Sequence, residues 1–301
     1  MRASPRISVF PKCYFDELVE GRMSYEAWIR EAASLGGDGV EHYDGFFRSY
    51  AREDVEPILE VMRETNQISS MLCFSPDFTH PDAEVRQQEI ARQKAAIDLT
   101  AQLGARHCRT LSGQNFPGLT RAEGIERTVE CILRSLEHAE RRAVVLCMEN
   151  HYKDGRWRYP EFAQPEDIFL EIIGRIESPY FGVQYDPSNA IVGGYDPIRF
   201  LEKVKHRVVT MHASDRYLEN GTLDDLKRLD ASGAEGYASI LRHGVIGKGL
   251  NDYDRIFSTL QQAGFRGWIS IEDGSEPEGG MERLSESAEF LRARMRQHGL
   301  A

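Results

Sequence analysis

Short runs of β-branched and apolar residues recur along the chain, and segments with apolar positions at helical spacing separate them. The first run is Ile7 to Phe10, and Ser24 to Leu35 follows with its apolar residues on one helix face. This strand-then-helix unit repeats. Further runs lie at Gly39 to Tyr43, Ile68 to Phe74, His107 to Leu111, Val144 to Asn150, Phe181 to Tyr185, Val208 to His212 and Trp268 to Glu272. Helical patterns fill the gaps at about 53–65, 83–103, 121–142, 166–177, 197–204, 252–264 and 282–297, and Thr120, Asp196 (with Pro197 after it) and Asn251 are the expected N-caps. Eight alternating units are the repeat that closes a ring, so the expected fold is α/β, a (β/α)8 TIM barrel forming a single domain over residues 1–301. A doubly wound open sheet explains less simply why polar residues gather at so many strand ends.

Two connections are longer than the usual few residues, at about 151–164 and 215–251. Each follows a strand, which places both on the face where barrels of this kind carry their chemistry. They are expected to serve as lids or substrate walls.

Composition narrows the class. Apolar residues make up 41% and charged residues 28%, without a low-complexity run, which describes an ordinary folded chain. A net charge of −11 argues against nucleic acid and anionic lipid as partners, and no apolar stretch approaches the length of a membrane span. Met1 to Pro11 also lacks a continuous apolar run after its arginines, so a cytoplasmic protein is expected; five cysteines without Cys-x-x-Cys spacing form no complete disulfide framework, and Cys147 reads as a small inward-facing strand residue. Association into a homo-oligomer stays open.

The candidate chemistry lies at the ends of the last four strands, which carry Glu149, Asp186, His212 and Glu272. A barrel gathers such ends around one mouth, so side chains far apart in sequence can share one ion. Three carboxylates and an imidazole suit a hard divalent cation, Mn2+ first and Mg2+ or Co2+ as alternatives; without one the carboxylates would repel each other. Positions two apart on a strand share a face, so His151 points toward the same mouth as Glu149. Lys153, Arg156, Trp157 and Arg158 follow in the long loop, where an aromatic ring beside cations suits a sugar wall. Arg109, Glu41, Tyr43 and Gln114 to Phe116 are candidates for the far side of the mouth. His243 and Lys248 lie among glycines that lack the spacing of a phosphate loop and read better as a turn.

The chain resembles the xylose-isomerase-like barrel superfamily of sugar isomerases and epimerases. The resemblance rests on Cys-Met-Glu149-Asn, Gln-Tyr-Asp186-Pro-Ser-Asn, Met-His212-Ala-Ser-Asp and Ser-Ile-Glu272-Asp, together with Gly247 to Asp254 and Ala263 to Trp268, the segment leading into the last strand. It implies that Glu149 and Glu272 form an acid/base pair on opposite faces of a sugar carbon while the ion clamps the carbonyl and hydroxyl oxygens. The expected activity is therefore a metal-dependent isomerase or epimerase of a small carbohydrate. The chain departs from the ketose 3-epimerases in two places: Asn189 stands where they tend to carry a His, and Asp215 and Arg216 open an insertion where they have a compact loop. Lys153, Trp157, Asn189, Asp215, Arg216, His243 and Arg109 are the candidate substrate contacts. Lyases and dehydratases of the same superfamily suggest a second reading, with His151 as the base acting on a keto-sugar, a 3-keto-glycoside or a keto-inositol. A metal-dependent nuclease would want more histidines and a basic face. A non-catalytic sugar-binding barrel would be expected to have lost a ligand, and none is missing.

Overall fold

In the computed structural model, which describes residues 5–229, 237–274 and 276–300, eight parallel strands close into a barrel. They are β1 (Arg6–Val9), β2 (Gly39–Tyr43), β3 (Ile68–Cys73), β4 (His107–Thr110), β5 (Val145–Glu149), β6 (Phe181–Tyr185), β7 (Val208–Ala213) and, after the hairpin strands β8 (Asp215–Leu218) and β9 (Leu241–Gly244), β10 (Trp268–Ile271). Around the ring the order is β1, β10, β7, β6, β5, β4, β3, β2, so the last strand closes against the first, Val9 opposite Ile271.

Alternation along each strand sorts the side chains into two apolar groups. Leu72, Leu146, Met148, Val183, Met211 and Ile269 join one large core with the helices' apolar faces. Their neighbours Met71, Cys73 and Cys147 instead form a small cluster with Phe10 and Tyr43. The inner positions also include the buried polar residues Glu41, Gln184, Thr210, His212 and Ser270. The outer face of the strands thus supplies the hydrophobic core, which leaves the inner face free to carry polar groups toward the mouth.

Helix starts follow the expected chemistry, with one correction. Thr120 and Glu123 form a capping box, and Asp196 caps the helix that Pro197 opens. The start expected at Asn251 lies one residue later: Asp252 accepts the Arg255 N–H, while the Asn251 amide turns inward to Ser188 Oγ and Ser214 O. Asp186 caps a short helix, Pro187–Val192, that the sequence pattern had not suggested.

The two long connections differ from each other. Residues 151–164 carry no helix or strand and are tied to the chain after β4 by an isolated bridge between Gln114 and Glu161. The segment 215–251 contains structure that its charged, short apolar runs did not announce: β8 and β9 pair antiparallel, and a helix spans Leu223–Arg228. Among the described residues no helix is long and apolar enough to cross a membrane.

Close strand packing before β10 depends on Gly267. A Cβ built there would lie 1.9 Å from the Val209 carbonyl oxygen. Gly267→Ala should therefore cost about 1–3 kcal/mol or more through overpacking beside the strand that leads to Glu272. Urea unfolding measures it, and an unchanged midpoint would mean that the backbone there moves freely.

Candidate metal centre and active-site cavity

Glu149 ends β5, Asp186 and Glu272 follow β6 and β10 directly, and His212 lies within β7. Their nearest ligand atoms all fall within 4.8 Å of one another. His212 Nδ1 is the hub, 3.2 Å from Glu149 Oε1, 3.3 Å from Glu272 Oε2 and 3.9 Å from Asp186 Oδ2.

Neighbouring side chains set the orientation of each member. On the other side of the His212 ring, Nε2 lies 2.6 Å from Glu41 Oε1, and the Cys73 thiol donates to the same oxygen at 3.0 Å. The Gln184 amide nitrogen also lies 2.7 Å from Nε2; in the tautomer whose Nε2–H donates to Glu41, the Nδ1 lone pair is left for an ion. Glu149 Oε2 accepts from Arg109 at 2.8 Å, and its Oε1 accepts from the Asn189 amide at 3.2 Å. Asp186 Oδ1 accepts from the Asn189 N–H and the Ser214 hydroxyl, which leaves Oδ2 toward His212. Lys12 Nζ stands 3.7 Å from Glu272 Oε1.

Crowding of like charge shows in the protonation equilibria of these side chains. Burial, then the charges of Glu272 and Glu149, push the Asp186 carboxyl from its ordinary 3.8 up to about 7. Burial opposes ionisation of Glu149 as well, but His212 and Arg109 outweigh it and hold the group below its ordinary range. Burial likewise disfavours a charged His212, yet Glu41, Glu272 and Glu149 hold its pKa well above the usual value. A divalent cation would supply the positive charge that these crowded carboxylates call for, so the donor set fits a hard metal ion.

Above this cluster opens a cavity of about 500 Å3, lined in part by Phe10, Lys12, Tyr43, Arg109, His151, Tyr152, Lys153 and Glu272. Among the expected substrate contacts, Arg109 and Lys153 line it, while the others sit elsewhere. Trp157 lines a smaller neighbouring cavity of about 210 Å3. Asn189 is buried against Glu149. Both Asp215 oxygens accept backbone N–H groups, from Arg216, Gly247, Gly249 and Asn251, which makes this carboxylate the fastener of its loop. Arg216 is buried with its guanidinium 4.4 Å from the ring of Tyr237 and 5.4 Å from that of Tyr152, two tyrosines that line the cavity. His243 packs edge-on to Tyr237, and Gly274 leaves it room, since a Cβ there would lie 2.3 Å from His243 Nδ1.

Glu41 lies behind the imidazole, not on the cavity wall where it was expected, and Gln114 holds Asp77 and the backbone N–H groups of Arg158 and Tyr159. Lys12, Tyr152 and Glu161 escaped the sequence reading. Lys12 had a usable signal, a charged residue just past the end of β1. Glu161 had none in its loop, yet its Oε2 lies 3.3 Å from His151 Nδ1.

The model of the Xylose isomerase-like TIM barrel family matches residues 29–294, and the chain belongs to that family. It is 26% identical over 161 residues to an inosose dehydratase of Geobacillus kaustophilus, a match covering 51% of this chain and about half (49%) of that protein. It is 23% identical over 289 residues to the L-ribulose-5-phosphate 3-epimerase UlaE of Escherichia coli, covering 91% and 92% of the two chains. Among solved structures, a D-tagatose 3-epimerase-like protein superposes with a TM-score of 0.75 at 19% identity, over 98% of each chain. AsbF of Bacillus anthracis, described as the probable 3-DHS dehydratase, superposes with 0.71 at 15%, over 95% of this chain and 98% of that one. The two structural likenesses show the fold alone. The two sequence relatives are thus an inosose dehydratase and a sugar-phosphate epimerase.

Two measurements test the centre. Glu41→Gln should weaken Mn2+ binding by roughly 10–100-fold, read by titration calorimetry, with little change in the melting temperature of the metal-free protein. Unchanged affinity would leave Glu41 without an orienting role. The raised Asp186 pKa means that, without metal, this group stabilises the fold at low pH and that the contribution is lost as pH rises toward about 7. The gain in melting temperature on adding Mn2+ should therefore be larger near pH 8 than near pH 5.5, where the ion must displace a proton. Equal gains would contradict the crowding described above.

Proposed function

We propose that the protein is a divalent-metal-dependent isomerase or epimerase of a small carbohydrate, working by proton removal beside a carbonyl. The observation that carries this reading is the convergence of Glu149, Asp186, His212 and Glu272 at a polar cavity. When bound, a divalent cation, Mn2+ in our reading with Mg2+ or Co2+ as alternatives, supplies a Lewis acid that withdraws charge from the substrate's carbonyl and adjacent hydroxyl. Glu272 is the more accessible of the two candidate bases, with its side chain 15% exposed against 1% for Glu149. It removes the proton from carbon, and the C–H electron pair moves into an enediolate. A proton returned by Glu149 from the other side inverts that carbon, and a proton returned to the neighbouring carbon isomerises the sugar. Lys12, beside Glu272, offers a donor for a substrate hydroxyl. Five cysteines that are all buried and unpaired support a reducing, cytoplasmic setting.

One observation favours a second reading, a lyase or dehydratase acting on a keto-sugar, 3-keto-glycoside or keto-inositol. Both oxygens of Glu149 are engaged, by Arg109 and by Asn189 and His212, whereas His151 lines the cavity with a ring edge open to a substrate. An imidazole there is the better placed base for elimination.

Products separate the two. The Mn2+-loaded protein, incubated in D2O with ketoses and 3-keto-glycosides, should exchange one C–H without elimination, and Glu272→Gln should slow that exchange by about 100-fold or more. An unsaturated product or a released aglycone, abolished by His151→Ala with metal content unchanged, would replace the first reading with the second.

A further inference from the structure

The side chain of Glu161 is fully buried beside the cavity, at 0% exposed, and neither reading above uses it. Its Oε1 accepts two bonds from Ser112, from the backbone N–H and from the hydroxyl, each at 2.9 Å. The Glu161 N–H donates to the Tyr152 carbonyl at 2.8 Å, and Phe162 N–H to the Gly113 carbonyl. These bonds fix the carboxylate. Its other oxygen, Oε2, faces His151 Nδ1 at 3.3 Å, and both atoms are buried without a hydrogen-bond partner elsewhere. Tyr152 stacks on the His151 ring at 5.2 Å and limits its rotation. With Nδ1 turned to Glu161, the edge of the ring that lines the cavity carries Nε2.

We propose that Glu161 is a positioning residue that fixes the tautomer of His151, with the proton on Nδ1 and the lone pair on Nε2 presented to the substrate. An unpaired buried carboxylate oxygen is costly, and an N–H aimed at it is the nearest remedy. The approach is not yet that of a good hydrogen bond, as is common for catalytic pairs before substrate binds. The inference rests on the second reading, in which His151 is the base. The proton on the carbon beside the keto group passes to Nε2, and the C–H pair forms a carbon–carbon double bond. The oxygen on the next carbon departs, and His151 returns the proton to it, releasing water or an alcohol.

Glu161→Gln tests this without removing the tie to Ser112. The amide oxygen takes the place of Oε1 on the two Ser112 donors, and the NH2 group then faces Nδ1, which must accept. The tautomer should invert, with the proton moving to Nε2. Nitrogen-15 NMR of the histidine-labelled protein reads this directly, and turnover of a 3-keto-glycoside should fall by about 100–10,000-fold with KM, metal content and melting temperature little changed. A wild-type His151 protonated on Nε2, or a Glu161→Gln protein with unaltered tautomer and turnover, overturns the proposal and leaves Glu161 as a loop staple. If Glu161→Gln does not fold, Ser112→Ala releases one bond to Oε1; it should give mixed tautomers, and a single unchanged tautomer counts against the proposal. Should the wild-type enzyme exchange protons without elimination and ignore His151→Ala, the second reading fails, and the NMR result still decides the tautomer.

Discussion

Three carboxylates within reach of one point, Glu149 and Asp186 buried and Glu272 at the cavity wall, are the constraint to which the rest of the mouth responds. Each would raise the pKa of the others, and the surrounding groups divide that burden. Arg109 and Asn189 hold Glu149 in one rotamer, His212 and Arg109 keep it ionised, and Lys12 stands against Glu272. Ser214 and a backbone N–H occupy one oxygen of Asp186 and leave the second for the shared point. The imidazole links the cluster to Glu41, a fourth carboxylate on the far side of the ring.

The barrel makes this arrangement tolerable through its two-faced strands. Apolar side chains on the outer face pack under the helices and supply the hydrophobic stabilisation. Inner positions near the mouth contribute little to that core, so charged groups there displace no needed packing. Asp186 shows how closely scaffold and site are joined, since the carboxylate that begins the Pro187–Val192 helix also faces His212. A rotamer change at this residue would disturb both.

Much of this is legible in the sequence, for identifiable reasons. The strands are short, apolar and separated by regular amphipathic helices, so periodicity located all eight barrel strands within a residue or two. Glu149, Asp186, His212 and Glu272 stood out as polar groups at the ends of apolar runs. Their supports did not. Glu41 sits within a strand, and its partner His212 is 171 positions away. Glu161 reaches His151 only because the loop folds back on the chain after β4, a path that no periodicity encodes. The β8–β9 hairpin was hidden for the same reason: its strands are four residues each, charged, and separated by 22 residues. Local pattern reports elements well, but pairing across long separations is decided by packing.

Ring closure carries a consequence for biosynthesis. Glu272 follows β10, the strand that seals the barrel against β1, and β10 is made last. A chain emerging from the ribosome therefore offers at most three of the four donors until the final strand docks, and an incomplete set discriminates poorly among ions. Selective capture of a metal by these four donors would belong to the finished ring, a late event in maturation rather than a nucleus for folding.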